Sequence, residues 1–186
     1  LRQTFPTALA DVSHNDFYFS INDVRPSLIR VEADEATYNL HIALRFELEL
    51  ALLSGNLTVS DLPSAWNERI EALFGLKVPN DSLGCLQDIH WSFGGIGYFP
   101  TYTLGNLYAA QLMMAARLKL GSEAKDEAFR RGDFSLLKDW LRLNIHQHGQ
   151  RYRANELCRR ATGSSLSSKP FLDYLTEKYG QLYGVC

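Results

Sequence analysis

The stretch from Asp34 to Leu53 constrains this chain more than any other. It reads as one long helix. Asp34 and Glu35 place negative charge in its first turn, where the helix dipole favours it, and Gly55 closes it. Ile42, Phe46, Leu50 and Leu53 fall on one stripe, and Leu40, Leu44, Leu48 and Leu52 on another, so little of the circumference is polar. A helix of that kind is usually buried. In a chain of 186 residues, about one domain with a single core, this predicts a cover of more protein than the chain itself supplies.

Most of the remaining sequence also has helical spacing. Ser13 is a suitable N-cap for a short helix toward Asp23, which the Arg25-Pro26 pair stops. Leu57–Val59 reads as a short edge strand. A helix with Pro63 near its first turn follows and ends before Gly75. Another runs from about Tyr102 to Leu120, and shorter ones are expected near 122–131, 134–146, 154–161 and 170–179. Between them, the stretch 77–101 holds Pro79, Gly84, Gly94, Gly95, Gly97 and Pro100, and reads as a long loop. The expected fold is all-α, a single domain over 1–186, with one long Gly/aromatic loop and at most a few short strands. Loops of that length in compact domains tend to be functional.

Composition narrows the function classes. With 19 basic and 21 acidic residues the chain has a net charge of −2, which gives no electrostatic footprint for nucleic acid or an anionic membrane. No apolar run is long enough to span a bilayer, and no secretory h-region stands at the start. Cys85, Cys158 and Cys186 lack metal-ligand spacing and read as the reduced thiols of a cytoplasmic protein; Cys186 would be reactive if exposed.

The five histidines are His14, His41, His90, His146 and His148, and none begins an H-E-x-x-H or H-x-x-E-H zinc motif. His146 and His148, just before Gly149, read as cations favoured at a helix C-terminus. Other residues are more suggestive. Arg30 offers a planar fork that matches a carboxylate with two hydrogen bonds. His90, Tyr98 and Tyr102 offer donors that stabilise negative charge developing on a carbonyl oxygen. Each also has a scaffold reading. Arg30 can pair with an acid such as Glu32 or Asp34, His90 can be a structural histidine beside Trp91, and the tyrosines can pack at the base of a helix. Gln87 and Asp88 more often bond loop backbone than do chemistry.

At these residues the sequence resembles a known family. Ile29-Arg30-x-x-Ala33-Asp34 is similar to the I-R-x-x-A-D motif of M32 metallocarboxypeptidases, and Gly84-x-x-Gln87-Asp88-x-His90-Trp91 to their G-x-x-Q-D-x-H-W motif. The segments 35–44 (EATYNLHIAL), Leu62-Pro63-x-x-Trp66-Asn67, Tyr98-Phe99-Pro100-Thr101-Tyr102 and Tyr174-Leu175-x-x-Lys178-Tyr179-Gly180 fit as well. The resemblance covers essentially the whole chain. It implies the mostly helical, zincin-like fold of that family and a zinc peptidase that trims single residues from peptides with a free C-terminus.

The family's zinc ligands lie in H-E-x-x-H and in a downstream H-E-S/G-Q motif, both absent here, so this chain is expected to be the C-terminal portion, with no metal ligand of its own and inactive alone. By the same resemblance, Arg30 is expected to grip the substrate carboxylate, and His90 and Tyr102 to stabilise the tetrahedral intermediate, with Tyr98 a second candidate. Gln87 and Asp88, with Asp34, support them. The expected partners are peptides, the missing N-terminal part of the enzyme and a second copy in a homodimer. The competing reading is a non-catalytic helical binding module from a split or degenerate gene.

Overall fold

The computed structural model describes residues 1–185, so Cys186 lies outside the described residues. These residues form helices, single 3-10 turns and loops, with no strand among them. They divide into two compact units, Leu1–Thr101 and a second from Tyr102 onward.

In the first unit, α1 spans His14–Ile21 and is capped as expected, the Ser13 hydroxyl accepting from the Asp16 amide at 3.0 Å. The long helix α2 spans Tyr38–Leu53 and starts one turn later than its sequence suggests. The reason is local. Asp34 Oδ1 accepts from the Thr37 amide at 2.9 Å and Oδ2 from the Thr37 hydroxyl at 2.9 Å, which holds residues 34–37 in a turn. Short polar side chains compete with helical hydrogen bonds in this way.

The expected strand at Leu57–Val59 is absent. Thr58 instead caps a 3-10 turn, Val59–Asp61, that leads directly into α3, Leu62–Phe74, with a proline in its first turn and left-handed Gly75 at its end. A Thr-x-x-Asp cap before a proline is a helix entry, and it overrides the β-propensity of one valine. Helices α2 and α3 pack through Leu44, Leu48, Trp66, Ile70 and Phe74, with Cys85 from the loop closing the same core.

Only one side of α2 is buried within this chain. His41, Ile42, Leu44, Arg45, Leu48 and Glu49 face inward, whereas Leu40, Phe46, Leu50 and Leu53 are exposed, Leu53 by 64%. The interior face therefore carries three polar residues spaced one helical turn apart, and an apolar stripe is left outside.

The second unit holds all of α4 (Pro100–Leu120) but its first two residues, and then α5 (Ser122–Arg130), α6 (Ser135–Asn144), α7 (Ala154–Thr162) and α8 (Lys169–Tyr183) in order. The expected helix through His146 stops at Asn144, and His146–His148 form a 3-10 turn ending at Gly149. Ala115, Ala116 and Trp140 make the core, with Leu112, Leu137, Leu141 and Ala161 against it. Buried Gln111 ties α4 to the segment after α7, donating to Thr162 and Ser164 and accepting from the Ser167 amide at 2.9 Å. Among the described residues no helix is long and apolar enough to cross a membrane.

Candidate functional site

The chemistry-bearing residues of the first unit gather between a 3-10 turn at Arg30–Glu32, the inner face of α2 and the loop from Gly84 to Phe99. At the centre is Asp88. Its Oδ1 accepts from Arg30 Nη2 at 2.6 Å and Nε at 3.2 Å, and its Oδ2 accepts from Arg45 Nε at 2.6 Å. One carboxylate thus holds two guanidiniums, both almost wholly buried. Arg30 Nη1 also donates to the Tyr38 hydroxyl at 3.1 Å, and Arg45 Nη1 to the His41 carbonyl at 2.9 Å.

Electrostatics follow from that geometry. Burial alone would push the Asp88 carboxyl up, but hydrogen bonds and charge from Arg30 and Arg45 together hold it below the usual carboxylate range. Burial lowers the Arg45 guanidinium to about 10 against the pull of Asp88. It remains a cation at neutral pH, stacked 4.6 Å over Trp66.

Gln87 ties the loop to the chain before α2. Its Nε2 donates to the carbonyls of Leu28 at 3.0 Å and Gly84 at 3.1 Å, and its Oε1 accepts from the Arg30 amide at 3.0 Å. Gly84 is required where it stands. A Cβ there would lie 2.9 Å from the Val78 side chain and 3.3 Å from the Asn80 carbonyl.

His90 is buried, with Nδ1 3.8 Å from Asp88 Oδ1. Its ring packs against Phe99 at 4.4 Å, Tyr98 at 5.5 Å and Phe93 at 5.7 Å between centroids. The loop then turns back tightly over it, the Gly95 amide donating to the His90 carbonyl at 2.7 Å. Tyr98 is half exposed beside the His90 ring.

The structure therefore brings Arg30, Gln87, Asp88, His90 and Tyr98 together within the first unit. Asp34 stands outside that network. Its carboxylate accepts from Thr37 and from the Arg25 amide at 3.0 Å. Tyr102 lies in the first turn of α4, as the first residue of the second unit.

Sequence reasoning missed three buried residues that build this cluster, namely His41, Arg45 and Glu49. Their signal was present as an i, i+4, i+8 polar line on a helix otherwise apolar nearly all round. Glu49, only 4% exposed, accepts from the Trp91 indole at 2.7 Å and from the Gly97 amide at 2.6 Å.

His41 is fully buried and stacked on Phe74 at 4.5 Å, and neither ring nitrogen has a hydrogen-bond partner. Burial, with Arg45 and Arg30 beside it, lowers its pKa to about 4. Between its ordinary value of about 6.5 and that level, the unfolded chain takes up a proton that the folded one refuses. Folding stability is therefore expected to fall as pH drops through this window, by up to about 1.4 kcal/mol per pH unit. Denaturant titrations of the chain across the window check this. His41→Phe keeps the stacking and is expected to flatten the slope.

Among the described residues, no group of three or more His, Cys, Asp or Glu side chains is gathered as a metal ion would need. Asp88, the most central acid, is already engaged by two guanidiniums. These residues do not form a metal seat.

Comparison with known proteins agrees on one family. The family model described as carboxypeptidase Taq (M32) metallopeptidase matches residues 1–179. The chain is 51% identical over 183 residues to thermostable carboxypeptidase 1 of Thermus thermophilus and 42% identical over 183 residues to carboxypeptidase 1 of Bacillus subtilis. Each match takes in 98% of this chain but only 35% and 36% of the relative, so the chain spans about a third of their length, corresponding to their C-terminal portion. Among solved structures, the M32 carboxypeptidase of Deinococcus radiodurans superposes with a TM-score of 0.95 at 49% identity, over 99% of this chain and 37% of that one.

Proposed function

The chain belongs to the carboxypeptidase Taq (M32) metallopeptidase family, and from that premise we propose that it forms the C-terminal portion of a zinc-dependent carboxypeptidase that removes the last residue of peptides. The observation that carries this is the buried Arg30–Asp88–Arg45 network, with His90 placed against Asp88 by the loop. One carboxylate there holds two guanidiniums in place, beside the His90 and Tyr98 donors that carbonyl chemistry needs.

In this reading Arg30 receives the terminal carboxylate of the peptide. Asp88 takes its Nε–Nη2 edge and the Tyr38 hydroxyl accepts from Nη1, so the substrate carboxylate meets a guanidinium already oriented by both. His90 donates to the carbonyl oxygen of the scissile bond as negative charge develops on it, with Tyr98 beside it. Tyr102 is assigned the same task on the family resemblance. Gln87 and Asp88 position the loop, and Asp34 supports the turn that leads into α2. The metal, which we take to be zinc, is held by residues outside these 186. The complete enzyme is a cytoplasmic homodimer forming one continuous catalytic domain with this portion.

Tyr102→Phe in the full-length enzyme tests the transition-state role. Turnover is expected to fall about a hundredfold, the scale for losing one such donor, with KM nearly unchanged. An unchanged kcat would remove Tyr102 from the mechanism.

A further inference from the structure

Glu49 is a buried carboxylate that the reaction as described does not use. It projects from α2 one turn beyond Arg45 and accepts from two donors six residues apart in the loop, the Trp91 indole at 2.7 Å and the Gly97 amide at 2.6 Å. The segment it closes contains the 3-10 turn Trp91–Phe93, and Gly94 and Gly97 at positive φ. Just before the segment is His90, and just after it is Tyr98. Gly97 stands at φ 77, a conformation in which its amide can turn toward the carboxylate and which other residues rarely adopt.

Helix α2 therefore holds this loop at two levels. Arg45 fixes Asp88 on one side of His90, and Glu49 fixes Trp91 and Gly97 on the other. Charge-assisted hydrogen bonds are short and roughly twice as strong as neutral ones, so Glu49 is the stiffer support that a loop without regular secondary structure otherwise lacks. Trp91 is in turn braced edge-on against Trp66 and Phe99.

We infer that Glu49 is a positioning residue: by closing residues 91–97 around one carboxylate, it sets where His90 and Tyr98 stand toward the substrate carbonyl. This rests on the reading of the loop as the segment that binds the transition state. A misplacement of about 1 Å in such a group can cost about a hundredfold in rate.

Glu49→Gln tests it. The amide keeps one acceptor oxygen but turns an N–H toward the second loop donor, so one of the two bonds is lost at nearly constant volume. In the 186-residue chain, hydrogen exchange at the Trp91 indole or the Gly97 amide is expected to speed up at least about tenfold, the scale of one lost bond to a charged group. In the full-length peptidase, kcat is expected to fall ten- to a hundredfold, with KM within about threefold.

Trp91→Phe removes one of the bonds without touching Glu49 and carries the test if Glu49→Gln folds poorly. Combined, the two substitutions should cost less than the sum of each alone. Unchanged exchange at both sites, or unchanged kcat, overturns the inference. His90→Ala separates the two levels. If it lowers kcat while Glu49→Gln does not, the positioning role fails and the reading of the loop stands; if neither lowers kcat, that reading itself fails.

Discussion

Asp88→Asn is expected to cost about 3–5 kcal/mol of folding stability, the range for breaking a buried ion pair by removing one partner. The reason lies in what the substitution leaves behind. Arg45 is fully buried and Arg30 is 6% exposed, and both point their donors at the same carboxylate. With an amide in its place, two guanidiniums face each other with no anion between them. The loss is a large share of the 5–15 kcal/mol that holds a typical domain together.

A denaturation midpoint that falls sharply at neutral pH, with the denaturant slope unchanged, is the expected result. A change below about 1 kcal/mol, the scale of a surface pair, would show that solvent reaches the cluster. The pH profile adds a second check. Because the folded Asp88 carboxyl lies below its ordinary value, its contribution is complete above about pH 4 and is lost as pH falls through the depressed folded value. That acid-side loss should vanish in Asp88→Asn, whereas the slope from His41 at higher pH should remain.

Much of the fold was legible because its punctuation is local. Ser13 as a cap, Pro63 in a first turn and glycines at 75, 121 and 163 after helices are all short-range signals, and the helices begin or end where they stand. The strand expected at Leu57–Val59 failed for the same kind of reason, since a Thr58 cap three residues from Asp61 outweighs a single β-branched residue. The start of α2 was misplaced because an aspartate in a first turn and an aspartate folding a turn just before a helix look alike in sequence.

The site was legible only in part. The motifs marked Arg30, Gln87, Asp88 and His90, and the structure gathers them. What sequence did not reveal is the support behind them. Two apolar stripes on one helix do not say which face turns inward, and the inner face is the side that carries His41, Arg45 and Glu49. Polar residues are tolerated there because Asp88, Trp91 and Gly97 meet two of them, and those partners lie more than forty residues away in the chain. The i, i+4, i+8 spacing marks the polar line, but nothing local names partners that distant.

Arg30→Ala is expected to give the largest functional effect. In the proposed reading its guanidinium is the group that distinguishes a peptide ending in a free carboxylate from one that does not. Truncating one partner of a desolvated, hydrogen-bonded charge pair costs 2–5 kcal/mol or more, which corresponds to about thirtyfold to several thousandfold in kcat/KM. The fold should tolerate this change better than the loss of Asp88, because Asp88 keeps its bond to Arg45 Nε. Arg30→Lys retains the charge but not the planar fork, and should recover only part of the loss.

The decisive comparison is between a peptide and its C-terminal amide, each assayed with wild-type and Arg30→Ala full-length enzyme. If Arg30 holds the terminal carboxylate, kcat/KM for the free peptide falls about thirtyfold or more, while that for the amide stays within about threefold. An equal loss for both would contradict the carboxylate role, and with it the claim that this portion of the chain makes the enzyme a carboxypeptidase.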